Sequence, residues 1–301
     1  MQPIHLFRSD TMDATELTFG VEIETTVPPR LFAEGLTIGS YHHGVQVPYL
    51  PDGWTAQSDS SVHGEGRYGC EIVSPILQGV EGLRQVALVL RTLEEKGHRV
   101  NDSCGVHVHI GWSRSLPSTT LARLITIVSY LEKGIFAITG SKRRETGSYC
   151  KPVRCYGDDK QAKRRLDGDR YHVLNLRNLA TGVRETVEFR AFSGSLNPTK
   201  VVGWIQVCLG IVQRAQNGKR SPSWDPKAPQ GGWKKNGAGA SEAERLMGYL
   251  GWGAGYAKTH GGVSYGWIAP EDLVGLKAVQ KEFRRLAAKY DEPASASPAT
   301  H

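Results

Sequence analysis

Phe19-Gly20-Val21-Glu22-Ile23-Glu24-Thr25 alternates apolar and acidic residues, with the period of two at which successive side chains of a β-strand point to opposite faces. Val21 and Ile23 fall on one face, and Glu22 and Glu24 fall together on the other. Two carboxylates on one sheet face repel each other unless positive charge lies between them, and a divalent cation is the simplest such charge. A lone V-E-I-E would equally fit a half-exposed strand with hydrated glutamates. The rest of the chain decides between these readings.

Three further runs carry ligand-type side chains on β-prone segments. Cys104-Gly105-Val106-His107-Val108-His109-Ile110 puts His107 and His109 on one face. Thr186-Val187-Glu188-Phe189-Arg190-Ala191-Phe192 does the same for Glu188 and Arg190, and Gly69-Cys70-Glu71-Ile72-Val73-Ser74-Pro75 adds Glu71. An ordinary solvated face would favour Lys, Thr, Ser and Gln instead. Carboxylate-rich sets with an imidazole suit Mg²⁺ or Mn²⁺ better than Zn²⁺. Four glutamates exceed what one Mg²⁺ takes from protein, and clustered divalent ions most often clamp phosphate oxygens. Arg190, two residues from Glu188 on the same face, is placed to neutralise a transferring phosphoryl group. The pattern points to nucleotide-dependent phosphoryl chemistry.

The chain has 301 residues, 39% hydrophobic and 22% charged, enough for one large domain of ordinary globular composition. No apolar run approaches the ~20 residues of a membrane span. Residues 1–13, with Arg8, Asp10 and Asp13, lack the apolar segment of a secretory signal. The five cysteines are scattered, and Cys150-x4-Cys155 has no second ligand pair, so neither a disulfide framework nor a zinc site is expected. These features predict a cytoplasmic protein without membrane association. A net charge of +7 favours an anionic partner: a nucleotide, an acidic substrate or a nucleic acid. The basic clusters at 142–144, 160–165 and 234–235 lack the interleaved aromatics of a single-strand binding platform.

Apolar periodicity predicts helices over 80–96, over 119–138 with Ser118 as cap, over 198–216, from the capping-box run Ser241-Glu242-Ala243-Glu244 to Leu250, and over 271–290. Residues 53–62 read as a strand ending in a turn, in which Asp59 is either a site residue or a turn former. Residues 141–169 read as a charged, loop-like flap, a candidate lid. Strands over 171–176 and 185–193 flank a hairpin signal at Ala180-Thr181-Gly182. Few βαβ units are present, which predicts α+β with a mainly antiparallel sheet. The expected organisation is a catalytic domain over 1–218, an exposed Gly/Pro-rich connection over 219–240, a helical segment over 241–291 packing on the same domain, and a disordered tail over 292–301. The Gly-rich run 251–259 has Ala257 where a Walker loop needs glycine before its lysine.

In order, FGVEIE, the Trp54-x4-Asp59 segment, GCEIVSP, CGVHVHIG, the Arg170…Asn175-Leu176 segment and TVEFRAFSGSL form a series. Over about residues 17–215 this series resembles the amidoligase family, carboxylate–amine ligases that share the fold of glutamine synthetase and γ-glutamylcysteine synthetase. The resemblance implies a curved antiparallel sheet with helices on its convex face, and two or three Mg²⁺ ions (or Mn²⁺) with ATP on its concave face. It implies that Glu22, Glu24, Glu71, His107 and Glu188 are metal ligands, with Glu71, Glu188 and Arg190 the catalytic groups. His109 and Arg190 would lie near the nucleotide phosphates, and Arg170, Asn175 and Arg177 would contact phosphate or substrate. A further acidic ligand beside Glu71 would be Asp59 or Glu65. The implied reaction activates an acid as its acyl phosphate and transfers it to an amine; amino acids, peptides, proteins and modified nucleobases all qualify as substrates. The residues alone also fit a metal-dependent phosphohydrolase or nuclease, or a catalytically silent ligase-like binding module.

Overall fold

In the computed structural model, which describes residues 12–154, 159–218, 241–253 and 263–291, the opening run lies within β1 (Thr18–Val27), the central strand of the sheet. The order is β2 (Val45–Gln46), β3 (Thr55–Gln57), β4 (Tyr68–Val73), β1, β6 (Gly105–Gly111), β8 (Thr186–Ser193) and β7 (Leu174–Asn175), with β5 (Leu77–Gln78) beside the start of β1. Every strand pairing is antiparallel. The helices are α1 (Arg30–Ala33), α2 (Gly79–Glu95), α3 (Ser118–Ala137), α4 (Lys142–Thr146), α5 (Asp159–Gly168), α6 (Arg177–Thr181), α7 (Pro198–Asn217), α8 (Glu242–Tyr249) and α9 (Leu276–Asp291). The fold is α+β on an open antiparallel sheet, as the strand patterns require.

The alternation sorts the two faces. Val21, Ile23, Ile72, Val106, Val108, Ile110, Val187 and Phe189 are all buried in the core. Against β1 lies α2, whose stripe of Leu83, Val86, Leu90 and Leu93 is buried and whose Gly82 sits so close to Phe19 that an added Cβ would lie 2.9 Å from its ring. Against β8 lies α7, with Trp204 stacked on Phe192 at 5.0 Å between centroids and its indole N–H donating to the Ile138 carbonyl at 3.0 Å. An aromatic side chain of this size buries roughly 200 Å², on the order of 5 kcal/mol at the usual area coefficient. Behind this layer, α8 packs on α3 at Gly134, and α9 packs on α7 at Gly203 through Val279 and Phe283. No helix among the described residues is long and apolar enough to cross a membrane.

Several local expectations are corrected. Within 53–62, read as a strand ending in a turn, the strand covers only Thr55–Gln57, and Asp59 forms the turn by accepting from the Ser61 amide at 2.7 Å. Ser118 is the first residue of α3, behind Pro117, and makes no side-chain cap. The described residues of 141–169 are not loop-like: they contain α4 and α5 and bury Cys150, Val153, Ala162 and Leu166. The i,i+4 pair Ala162 and Leu166 is enough to seat α5 although lysines and arginines surround it. No tight hairpin turn joins β7 to β8. The short helix α6 does so, closed by Gly182 at φ +82°, in the left-handed region where glycine carries no Cβ penalty. The last helix starts at Leu276 rather than 271, after a turn in which Leu273 and Val274 both bond to the Pro270 carbonyl. Residues 219–240, the end of the Gly-rich run from 254, Cys155 and the tail over 292–301 lie outside the described residues.

Glu132 of α3 ties the 150s to the core by accepting the Val153 amide at 2.7 Å and the Arg154 amide at 3.2 Å. Burial raises its carboxyl from 4.5 to about 7. The folded chain therefore keeps a proton there that the unfolded chain releases near 4.5. This group's stabilisation is complete below about pH 4.5 and is lost as pH rises through about 7. Urea unfolding across pH 5–7 is expected to show stability falling with pH at up to about 1.4 kcal/mol per unit. Glu132→Gln should flatten that slope. An unchanged slope in the variant would show that Glu132 does not carry it.

Candidate active site

Strand register brings the polar residues together on the face away from α2 and α7. Glu22 pairs opposite His107, Glu24 opposite Glu71, and His109 opposite Glu188. The edges add amides: Gln57 opposes Glu71 and Asn175 opposes Glu188. Glu22 lies between the two imidazoles, Oε2 at 3.2 Å from His107 Nδ1 and Oε1 at 3.1 Å from His109 Nε2. His107 Nε2 is 3.5 Å from Glu24 and its Nδ1 is 3.7 Å from Glu188. A register shift between Val106 and Val108 opposes a bulge in β8, which turns Phe192 into the core while Arg190 stays on the polar face. There Arg190 Nη1 contacts Glu188 Oε1 at 2.5 Å.

Three sets of side chains bring ligand atoms within 4.8 Å of one another: Glu22, Glu71 and His107; Glu22, His109 and Glu188; and Glu24, Asp59 and Glu71. Donors hold the carboxylates in place. Gln57 Nε2 donates to Glu71 at 2.6 Å, Asn175 Nδ2 to Glu188 at 2.5 Å, and the Gly105 amide to Glu24 at 2.5 Å. Two cavities open on the cluster. One, of about 350 Å³, is lined by Glu24, His107 and Arg190 together with Arg143, Arg144 and Tyr149. The other, of about 570 Å³, is lined by Glu22 and His109 with Phe19, Gly20, Pro75 and Ile76.

A family model described as "putative amidoligase enzyme" matches residues 15–165 and 154–212. The chain belongs to the amidoligase family. Among solved structures the amidoligase chain is similar to the complex between prokaryotic ubiquitin-like protein Pup and its ligase PafA, at 10% identity and TM-score 0.42, over 96% of this chain and 61% of that one. It is also similar to GmaS in its ADP complex, at 13% identity and TM-score 0.41, over 93% of this chain and 71% of that one. The amidoligase chain thus spans about 61% of the PafA chain's length. No curated protein matches it.

All five residues expected to bind metal in this amidoligase, Glu22, Glu24, Glu71, His107 and Glu188, meet in one cluster. His109, expected beside nucleotide phosphates, joins Glu22 and Glu188 at ligand spacing. Of the two candidates for the further acidic ligand, Asp59 stands with Glu24 and Glu71 while Glu65 is exposed in a turn. Asp59 therefore serves the turn and the cluster at once. Arg170 and Arg177 line neither cavity. Arg170 donates to the hydroxyls of Tyr41 and Tyr171, and Arg177 is exposed with its amide bonded to Asn175 Oδ1 at 2.9 Å. Gln57 had no place in the sequence reading. Its one signal was its position after buried Ala56, on the face that Glu71 shares.

Charges in the cluster are strongly coupled. Burial opposes ionisation of Glu22, but His109 and His107 hold its carboxyl well below the ordinary range. Burial, with the nearby Glu22 and Glu24, pushes Glu71 well above it despite the Gln57 hydrogen bond. Burial likewise works against Glu188, and Arg190 and His109 keep it low. Both ring nitrogens of His109 and the Arg190 Nε are buried without a hydrogen bond. The 3.1 Å approach of His109 Nε2 to Glu22 thus lacks hydrogen-bond alignment. A buried imidazole nitrogen facing carboxylates but bonded to none is arranged as a metal ligand would be.

Proposed function

We propose that this amidoligase joins a carboxylic acid to an amine at the expense of ATP, through an acyl phosphate, with Mg²⁺ or Mn²⁺ in the carboxylate cluster. The observation that carries the proposal is the three ligand sets linked through Glu22 and Glu71. The donor set fits the ions: oxygen ligands dominate, as hard cations require. Burial and the neighbouring Glu22 and Glu24, which push Glu71 well above the ordinary range, also call for a compensating cation beside it. Glu22, Glu71, His107, His109 and Glu188 would hold the inner ions, and Glu24 with Asp59 a further one. When bound, such ions screen the charge on phosphate oxygens and draw electrons from the transferred phosphorus.

The chain's own residues supply the rest. Arg190, anchored on Glu188, presents its guanidinium to the developing charge at the γ-phosphate. Gln57 and Asn175 fix the ligand carboxylates, so no reorganisation is needed during reaction. The cavity beside Glu22 has apolar walls at Phe19, Val21, Pro75 and Ile76 suited to a base, and the cavity beside Glu24 receives the acid. An oxygen of the acid attacks the γ-phosphorus and the bond to ADP breaks. The amine then adds to the acyl carbon and phosphate leaves. The net change is acid, amine and ATP to amide, ADP and phosphate. The second step requires exclusion of water, which α4 and the segment to Cys150 provide on one side.

Purified protein with Mg²⁺, ATP, a pool of organic acids and hydroxylamine as the amine is expected to release ADP and form hydroxamate in equal amounts. ADP released without any hydroxamate would favour a phosphohydrolase. Nucleotide binding without turnover would favour a silent binding module.

A further inference from the structure

Residues 141–170 hold ten lysines and arginines against five acidic residues, which leaves +5 of the chain's net +7 in this one segment. Three of these cations are paired: Arg143 with Asp102, Lys151 with Asp169 and Lys163 with Asp167, at 2.6, 2.6 and 2.5 Å. Lys160, Arg164, Arg165 and Arg170 have no carboxylate within ion-pair distance among the described residues. The first three stand exposed on α5, because Ala162 and Leu166 take its buried face. The rings missing from the basic runs themselves are brought beside them by the fold. Tyr149 meets Tyr171 edge-on at 5.4 Å between centroids. Arg170 lies 5.0 Å over the Tyr171 ring and donates to the hydroxyls of Tyr171 and Tyr41, at 3.1 and 2.5 Å. Tyr41 comes from the far side of the sheet, on the turn before edge strand β2, whereas Tyr171 precedes the opposite edge strand β7. Beside it His42 sits at φ +64°, a strained backbone that holds the Tyr41 and His42 rings 3.7 Å apart at the surface. Tyr149 is 57% and Tyr41 45% exposed. Tyr149 also lines the cavity beside Glu24, so this strip of cations and rings ends at the mouth of the site.

We propose that the strip docks a single-stranded nucleic acid, with phosphates on Lys160, Arg164, Arg165 and Arg170 and bases against the rings of Tyr41, Tyr149 and Tyr171. Binding a single strand needs cations for its phosphates and an exposed ring for each stacked base. An acidic polypeptide would use the cations and leave the rings idle. A duplex keeps its bases stacked inside and would meet the charge alone. The strand then brings an acid or amine carried on a base or strand end to the cavity at Tyr149; this last step alone rests on the ligase reading.

The test is fluorescence anisotropy of the full chain, with Mg²⁺ present, on a labelled thymidine oligonucleotide of about 15 nucleotides, long enough for a single-strand site. A dissociation constant of about 10 μM or below is expected at low salt. Its log–log salt slope should be about −3, since four cations contribute about −0.7 each. Lys160→Gln combined with Arg164→Gln should weaken binding and roughly halve that slope. Tyr149→Ala should weaken binding about 5- to 100-fold, the worth of one stacked base, with the slope unchanged, while Tyr149→Phe stays within about twofold. Each altered side chain is exposed, and circular dichroism checks that each variant folds. An oligoglutamate of matching length that binds as tightly would give the strip to an acidic polypeptide and overturn the proposal. So would a duplex that binds more tightly than the single strand, the absence of oligonucleotide binding, or a Tyr149→Ala protein that binds like the wild type. If hydroxamate forms from small acids while no oligonucleotide binds, this inference fails and the ligase reading stands. If the oligonucleotide binds as expected and no hydroxamate forms, the ligase reading fails and the docking strip stands.

Discussion

Glu22→Gln is expected to lower turnover at least 100-fold and to remove the stabilisation that Mg²⁺ or Mn²⁺ confers. Glu22, like Glu71, belongs to two of the three ligand sets, and its two oxygens approach different imidazoles at 3.2 and 3.1 Å. A neutral amide keeps the shape and one acceptor but supplies no charge, so both sets weaken together. Loss of one preorganised electrostatic group at a reacting phosphate costs about 10²–10³ in rate. In the wild type, metal at a hundred times its dissociation constant adds about 2.7 kcal/mol, a rise in melting temperature of about 5 °C for a chain of this size. Glu22→Gln should show less than half that rise. Asp59→Asn, which touches one set, should lose less, and Glu65→Gln should lose nothing. Differential scanning fluorimetry with and without metal reads all three, beside the hydroxamate assay. A Glu22→Gln protein that still turns over and still gains the full metal shift would remove the cluster from the mechanism.

Why Glu22 could be read from sequence and Gln57 could not is a matter of what each residue type signals. A carboxylate pair with period two is unfavourable in a sheet without a cation, so V-E-I-E, together with V-H-V-H and V-E-F-R, already announced a shared polar face. Antiparallel pairing then placed Glu24 opposite Glu71 and His109 opposite Glu188. A glutamine on a strand is ordinary, and Gln57 gains meaning only from a partner 14 residues away in the chain. Which ligand set each of His107 and His109 joins was likewise hidden, because it depends on side-chain direction and not on period. Phe192 breaks the alternation of β8 by one residue, and that break was the trace of the bulge at Arg190. The α5 segment failed for the opposite reason. Its charge concealed two apolar residues, Ala162 and Leu166, whose burial decides its structure. Arg170 enters only through the family resemblance, and its Nη1 and Nη2 each donate to a tyrosine hydroxyl, of Tyr41 and of Tyr171.

Gly266→Ala is expected to destabilise the whole chain by about 3 kcal/mol or more, although residue 266 lies far from the carboxylates in sequence. Gly266 has φ +74°, where an L side chain is strained. A Cβ there would also lie 2.2 Å from the Gln206 carbonyl oxygen and 2.3 Å from the Gly210 nitrogen, both backbone atoms of α7 that cannot swing aside. Neighbouring contacts leave no slack. Gln213 Oε1 accepts the Gly266 amide at 2.8 Å, and Gln206 Oε1 accepts those of Ile268 and Ala269 at 2.8 Å each. Relief of the clash means pulling this segment off α7, which leaves two buried glutamine side chains unpaired at about 1–3 kcal/mol each. We read residues 241–253 and 263–291 as part of one cooperative unit with the catalytic sheet, because α7 also stacks Trp204 on Phe192 of β8, four residues from Glu188. On that reading Gly266→Ala melts in a single transition at lower temperature, with near-ultraviolet and far-ultraviolet signals lost together. Two separated transitions, the upper one unshifted, would show instead that the C-terminal helices form an independent unit and leave the sheet's stability to α2, α3 and α7 alone.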